Sequence, residues 1–262
     1  MQNQRVLPIE DGNNFRDLGG YQTINGQSIK WHRLLRSGHL HTLNQDDLTV
    51  LSQLNVKYDI DFRAPDEIEK QPDKVPSTAT YTPLPVFDRD ETDASKSSAQ
   101  LAAELNGPKA GYDHMLEVYK NMVTTKQAKS SYQTFFDRLL SVNETESVLF
   151  HCTAGKDRTG MGAVFLLSAL QVDQHTIVDD YLLTNAVTRE YVTQKIDRLK
   201  QQQNVSKTLT ENILALSTVS PDYVNTALTL IKHEYGTVLN YLQKYIGISD
   251  RQLSDLRQLY LD

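Results

Sequence analysis

Residues 56–62, VKYDIDF, alternate polar and strand-forming side chains and predict a strand. Ser28–Leu35 alternates less regularly, through Ile29, Trp31 and the Leu34/Leu35 end, and predicts another. Thr80–Val86 predicts a third, running into proline-rich loop chemistry. SVLF at 147–150 has no polar face and fits a strand covered on both sides. Between these runs the period changes. Asn44 stands where an N-cap belongs, ahead of Leu48, Leu51 and Leu54. Pro65 and the acidic Asp66-Glu67-Ile68-Glu69 suit a first helical turn, where a missing N–H is harmless and negative charge meets the positive dipole end. Residues 111–140 are helical in pattern, with Phe135, Phe136, Leu139 and Leu140 on the apolar face. Thr159–Leu170 is an apolar, helix-like run. From His175 to Asp262 the pattern is helical almost throughout, punctuated by Pro221, Gly236 and Gly247, with Ser249 as a new N-cap after Gly247. Met1–Asn14 is a polar arm, and Asp88–Pro108 is polar, rich in Ser, Ala and Asp, and expected to be a mobile insertion. No internal repeat is present. The order predicts an α/β core with helical C-terminal additions.

Composition narrows this little. The chain has 262 residues, 39% hydrophobic and 23% charged, enough to bury a core without staples. The formal net charge of −6 argues against a nucleic-acid partner, while leaving room for a local basic pocket that takes an anion. One cysteine, Cys152, excludes an intrachain disulfide. The start of the chain lacks a basic segment followed by an apolar one, and runs such as Ala163–Leu167 fall far short of the ~20 residues that span a bilayer. We expect no transmembrane segment and a cytoplasmic location, with signal-independent export left open.

Candidate chemistry concentrates in HCTAGKDRTG, residues 151–160. A buried strand ends at His151, a short loop turns through Gly155, and a helix starts near Arg158 or Thr159. Such a strand–loop–helix aims successive N–H groups and a helix N-terminus at one point, which suits an anion. A cysteine at that point is expected to be acidified: free thiols titrate near ~8.5, and at helix N-termini or beside cations between about 3.5 and 7.5. Thiolate is the nucleophilic form. Arg158 can hold two phosphate oxygens with its planar fork, and Thr159 can donate to the sulfur. The candidate phosphate-binding set is Thr153, Ala154, Gly155, Lys156, Asp157, Arg158 and Thr159. A nucleotide P-loop does not fit, because Gly155-Lys156 is followed by Asp157 and lacks the upstream glycine.

The decamer resembles the tyrosine phosphatase signature His-Cys-x5-Arg-(Ser/Thr), and AGKDRTG resembles the bacterial tyrosine phosphatase family of the LipA and mycobacterial PtpB type. Other segments are similar in the same order: Asn14-Phe15-Arg16-Asp17-Leu18-Gly19-Gly20-Tyr21, Leu35-Arg36-Ser37-Gly38, Asp61-Phe62-Arg63 with Glu67, Asp179–Asn185 and Tyr235–Val238. The resemblance implies a single phosphatase domain over 1–262, with the polar insertion at about 88–110. A helical region at about 175–235 would be able to cover the site. The implied fold is α/β, with a central, mainly parallel sheet flanked by helices. The implied reaction passes through a phosphocysteine at Cys152 with no metal or cofactor. Substrates would be phosphorylated protein, with dual specificity open, or phosphoinositide, and inorganic phosphate would be the product.

A proton donor must serve the leaving group. Asp61, at the end of a predicted core strand, matches the aspartate given this role in the family; Asp88, where other tyrosine phosphatases carry a mobile acid loop, is the rival. Their bland readings are an ion pair with Arg63 or Arg36, and a solvated carboxylate. Lys156 would supply a second cation for substrates with more than one phosphate, unless it is paired with an acid. His39 and His41 lack partners at metal-ligand spacing, His151 is expected to support Cys152 structurally, and Arg16 and Asp17 to tie the N-terminal segment to the core. Residues 186–220 suggest a solvated helix face. The competing functions are a sulfurtransferase on the same loop and a phosphoprotein-binding pseudophosphatase.

Overall fold

The computed structural model describes residues 2–105, 107–201 and 205–262. Its sheet contains β1 (Arg16–Asp17), β2 (Leu34–Ser37), β3 (Val56–Asp61), β4 (Thr80–Pro83) and β5 (Ser147–His151). The spatial order is β1-β2-β5-β3-β4, with β1 antiparallel at the edge and the rest parallel. β5 is therefore central, and all five of its residues are buried, as its unbroken apolar run requires. Its side chains alternate between two apolar layers. Leu149 packs with Leu35, Leu51, Leu54 and Val56 beneath α1 (Gln45–Gln53). Val148 and Phe150 face the larger cluster, with Phe62, Tyr132, Phe135 and Phe165. That cluster draws on α4 (Ala110–Thr124), α5 (Lys126–Leu139) and α6 (Arg158–Ala169). The helices not yet bounded are α2 (Pro65–Lys70), α3 (Ser98–Glu104), α7 (Gln174–Val187), α8 (Arg189–Lys200), α9 (Lys207–Ser217), α10 (Pro221–Tyr235), α11 (Val238–Tyr241) and α12 (Asp250–Tyr260), with a π turn at Leu242–Ile246.

Local signals behave as their chemistry dictates. Asn44 caps α1 through Asp46 N and Asp47 N, Pro65 and Pro221 open their helices, and Gly247 (φ 96°) precedes the Ser249 capping box of α12. Three expectations need correction. The strand expected over 28–35 is confined to Leu34–Ser37: His32 at φ 62° breaks the extended run, and Ile29 instead bridges Leu261. β4 stops at Pro83, although Leu84 N still donates to Asp61 O (2.7 Å) and Val86 N to Phe62 O (3.3 Å); Pro83 and Pro85 fall on the open edge of the sheet, where no partner needs their N–H. The segment from 88 is no loose insertion. Asp90, Thr92 and Asp93 are buried, the Asp90 carboxylate accepts from Thr92 N, Thr92 Oγ1 and Ser95 N, and α3 follows behind a Ser97 capping box. The N-terminal arm is docked as well, with Glu10 N and Asp11 N donating to Asp47 and Leu7 buried. Among the described residues no helix is long and apolar enough to cross a membrane.

Candidate active site

Cys152 follows the last residue of β5, and α6 begins six residues later at Arg158. The loop between them turns at Gly155 (φ 66°), where a Cβ would lie 2.3 Å from Ser37 O, so only glycine fits. The loop's carbonyls are pinned from outside. Asn14 Nδ2 donates to Ala154 O (3.2 Å) and Gly155 O (2.9 Å), Arg36 donates to Gly155 O (2.9 Å), and His39 N donates to Thr153 O (3.2 Å). The N–H groups of residues 153–157, by contrast, find no acceptor among the described residues. Carbonyls held outward and amides left free make a concave donor array for an anion.

The pinning residues are themselves braced. Asp180 of α7 accepts from Arg16 (3.0 Å), Arg36 (2.6 Å) and the Tyr21 hydroxyl (3.0 Å). Burial opposes that carboxylate's charge, but Arg16 and Arg36 outweigh it and hold its pKa below the ordinary range. The segments around Asn14, Arg36 and Asp180, distant in sequence, thus converge on the back of one loop.

Arg158 is buried, and Glu67 orients it: both carboxylate oxygens of Glu67 accept from its terminal nitrogens, one of them at 2.9 Å, and one also accepts from the Thr153 hydroxyl. Thr92 Oγ1 accepts from Arg158 Nη2 at 3.0 Å, and the Asp90 carboxylate lies 3.9 Å from the same nitrogen. Arg158 Nε and Thr159 Oγ1 are buried with no partner among the described residues. Lys156 does not present a free charge: its Nζ donates to Asp157 Oδ2 at 2.6 Å, and Asp157 Oδ1 accepts from the Tyr119 hydroxyl at 2.9 Å.

Neither sequence candidate for the proton donor is paired with Arg158 among the described residues. Asp61 is fully buried, accepts three side-chain bonds from Arg63 at 2.8–3.1 Å, and accepts from the Tyr81 hydroxyl at 2.9 Å. Asp88 is exposed and lines none of the cavities at the loop. The carboxylate that reaches Arg158 from the same segment is Asp90. Behind Cys152, His151 Nε2 lies 3.1 Å from Asp59 and 3.3 Å from Asp73, and Asp73 also accepts from Arg63 at 2.5 Å. Burial pulls the His151 pKa down, but Asp73, Asp61 and Asp59 outweigh it and raise it well above the ordinary histidine range. Asp59, Asp73 and His151 come close enough for a metal; Arg63 and His151 share the Asp73 carboxylate, whereas both Asp59 oxygens are buried without a hydrogen-bond partner among the described residues. In the sequence Glu67 and Asp180 stand without a role, Arg36 only as an ion-pair partner for Asp61, and Asp90 and Thr92 go unmarked. Their signal, two polar residues in a polar loop, differs in nothing from solvated neighbours.

A donor array closed around one cysteine, with an oriented arginine at the helix start, defines an enzyme site for a tetrahedral oxyanion. The model of the tyrosine phosphatase family matches residues 7–262, and the chain belongs to that family: it is a protein-tyrosine phosphatase. A Cupriavidus necator protein provisionally named a tyrosine-protein phosphatase is 28% identical over 97% of this chain and 88% of its own. The triple specificity protein phosphatase PtpB of Mycobacterium tuberculosis is 27% identical over 95% of this chain and 96% of its own. Among solved structures, that of P. aeruginosa TpbA in complex with pTyr aligns at TM-score 0.33 and 15% identity, covering 59% of this chain and 70% of its own.

Proposed function

We propose that the chain is one catalytic domain that hydrolyses phosphotyrosine in proteins through a phosphocysteine at Cys152. The observation that carries this reading is the set of unpartnered donors around the thiol: the N–H groups of 153–157, Arg158 Nε and Thr159 Oγ1. A buried donor without a partner, as at Arg158 Nε and Thr159 Oγ1, is unfavourable unless an anion completes it.

In this reading Cys152 Sγ attacks phosphorus and the ester P–O bond breaks. The amides and Arg158 hold the non-bridging oxygens as charge shifts. The departing phenolate, with a pKa near ~10 in free tyrosine, takes a proton. Asp90 is the donor we assign. Burial raises its pKa, but Arg158 and the hydrogen bonds from Ser95 and Thr92 outweigh that and hold it low. A phosphate dianion on Arg158 would cancel much of that attraction and let Asp90 bind the proton it then gives. Water attacks the phosphocysteine with Asp90 as base, the S–P bond breaks, and inorganic phosphate leaves. Asp61 is assigned a structural role with Arg63.

Dual specificity belongs to the same proposal, supported by the name of the mycobacterial relative, and phosphoinositide hydrolysis belongs to it through Lys156 alone. The Lys156–Asp157 pair sets the terms, because Lys156 would have to exchange Asp157 for a second substrate phosphate. A panel of phosphotyrosine, phosphoserine and phosphothreonine peptides and phosphoinositides, run beside Cys152→Ser, tests all of this. Phosphate release by the wild type and none by the variant is expected. Equal release by both would overturn the cysteine mechanism.

A further inference from the structure

Lys195 of α8 is half-buried and has no hydrogen-bond or ion-pair partner among the described residues. It faces a narrow cavity of about 60 Å³ whose wall includes Thr153, Ala154 and Lys156 of the cysteine loop. On its other side Lys195 lines a second, more open cavity of about 300 Å³, with Ser98 and Arg198. Tyr191 lies between the two and lines both, 53% exposed. No carboxylate lines either cavity, although the chain carries 33 acidic residues against 27 Lys and Arg. Burial, with Lys156 nearby, lowers the Lys195 pKa, so the ammonium sits where its charge is uncompensated. An uncompensated cation facing a cavity is relieved by an anion, and the anion here would belong to the molecule whose phosphate sits on the adjacent loop.

We propose that Lys195, with Arg198 one turn further along α8, is a specificity subsite for acidic side chains flanking the phosphotyrosine of a peptide substrate. This rests on the phosphatase reading and deepens it. The geometry favours a peptide over a compact polyphosphate headgroup. The two cavities run consecutively along a helix, and residues three apart on a helix have Cβ atoms about 5–6 Å from one another. Side chains of an extended peptide advance about 3.3 Å per residue and alternate in face, so acidic residues two apart share a face and meet both cations. The exposed Tyr191 ring, one turn before Lys195, lines both cavities and offers apolar contact.

The test compares kcat/KM on two phosphotyrosine peptides, one flanked by Asp and Glu, the other by Asn and Gln at the same positions. The wild type is expected to prefer the acidic peptide at least about tenfold, the size of one charge-assisted hydrogen bond. Lys195→Met should remove most of that ratio through KM, and Lys195→Arg should keep it. Affinity of the two peptides for Cys152→Ser, with and without Lys195→Met, gives the same comparison without turnover. A wild-type ratio near one, or a ratio that Lys195→Met leaves intact, overturns the subsite. So does a Lys195→Met loss confined to phosphoinositides, which would assign the cation to a lipid headgroup instead. If the wild type hydrolyses neither peptide, the phosphatase reading falls, and the subsite with it. Hydrolysis of both at equal rates sinks only the subsite.

Discussion

Arg158 uses its terminal nitrogens to hold itself on Glu67 and Thr92 and keeps Nε free. Lysine at this position would keep the charge but lose the fork. Arg158→Lys is therefore expected to lower kcat on aryl phosphates by at least about 100-fold, the size of a lost oxyanion donor; steady-state kinetics with retained activity would count against it. The three aspartates separate by leaving group. Asp90→Asn should slow hydrolysis of phosphotyrosine by about 100-fold or more, and that of an activated aryl ester far less, as removal of a general acid does. Asp88→Asn should leave both rates within a factor of about two, since an exposed carboxylate contributes little. Asp61→Asn should act through the fold: Arg63 keeps Asp73 but loses its other carboxylate, so thermal stability falls and both substrates are affected alike. A leaving-group dependence in Asp61→Asn, with none in Asp90→Asn, would return the acid role to the strand end. The sequence located Cys152 and Arg158 because their spacing is set inside one loop. It could not choose among the acids, because reach to Arg158 depends on how a loop far upstream, at Asp90 and Thr92, folds back.

The cysteine loop keeps its shape only because other segments grip its carbonyls. Gly155 is one fixed point: a methyl group there meets Ser37 O at 2.3 Å on a backbone with φ 66°. Gly155→Ala should cost about 1–3 kcal/mol in stability and most of the activity, measured by denaturant unfolding beside kinetics. Asp180 is another. Asp180→Asn leaves Arg16 and Arg36 buried with a neutral partner, a change of the kind that costs about 3–5 kcal/mol when a buried pair is broken. A stability loss under about 1 kcal/mol would show that the brace is dispensable. Helix boundaries were legible because caps and prolines act locally, as at Asn44, Pro65 and Ser249. The segment from 88 was not legible, because its burial follows from polar groups satisfying one another.

Charge pairing within the whole fold also sets its response to pH. His39 lines the cavity beside the loop, and burial, helped by Arg63, lowers its pKa to about 4. An unfolded histidine binds its proton near 6.5, so between about 6.5 and 4 the unfolded chain holds more protons than the folded one. Stability should therefore fall as pH drops through that window, by at most about 1.4 kcal/mol per pH unit from this residue. The depressed Asp180 carboxyl adds to the loss at lower pH, where protonation takes its charge from Arg16 and Arg36. His39→Gln should flatten the stability curve between pH 6.5 and 4, read as thermal midpoints. An unchanged slope would show that His39 takes no part.

By itself the sequence determined the α/β class, the buried central strand, most helix starts, and the strand–cysteine–loop–arginine unit, since each depends on neighbours a few residues apart. Tertiary structure decided what surrounds that unit. It joined Asn14, Arg36 and Asp180 behind the loop, gave Arg158 to Glu67, and paired Lys156 with Asp157. It also drew Asp61 into the core, brought Asp90 over Arg158, and set Lys195 beside the loop without a counter-ion. These are contacts between residues far apart in the chain, fixed by how helices and loops pack on the sheet, and no local pattern encodes them.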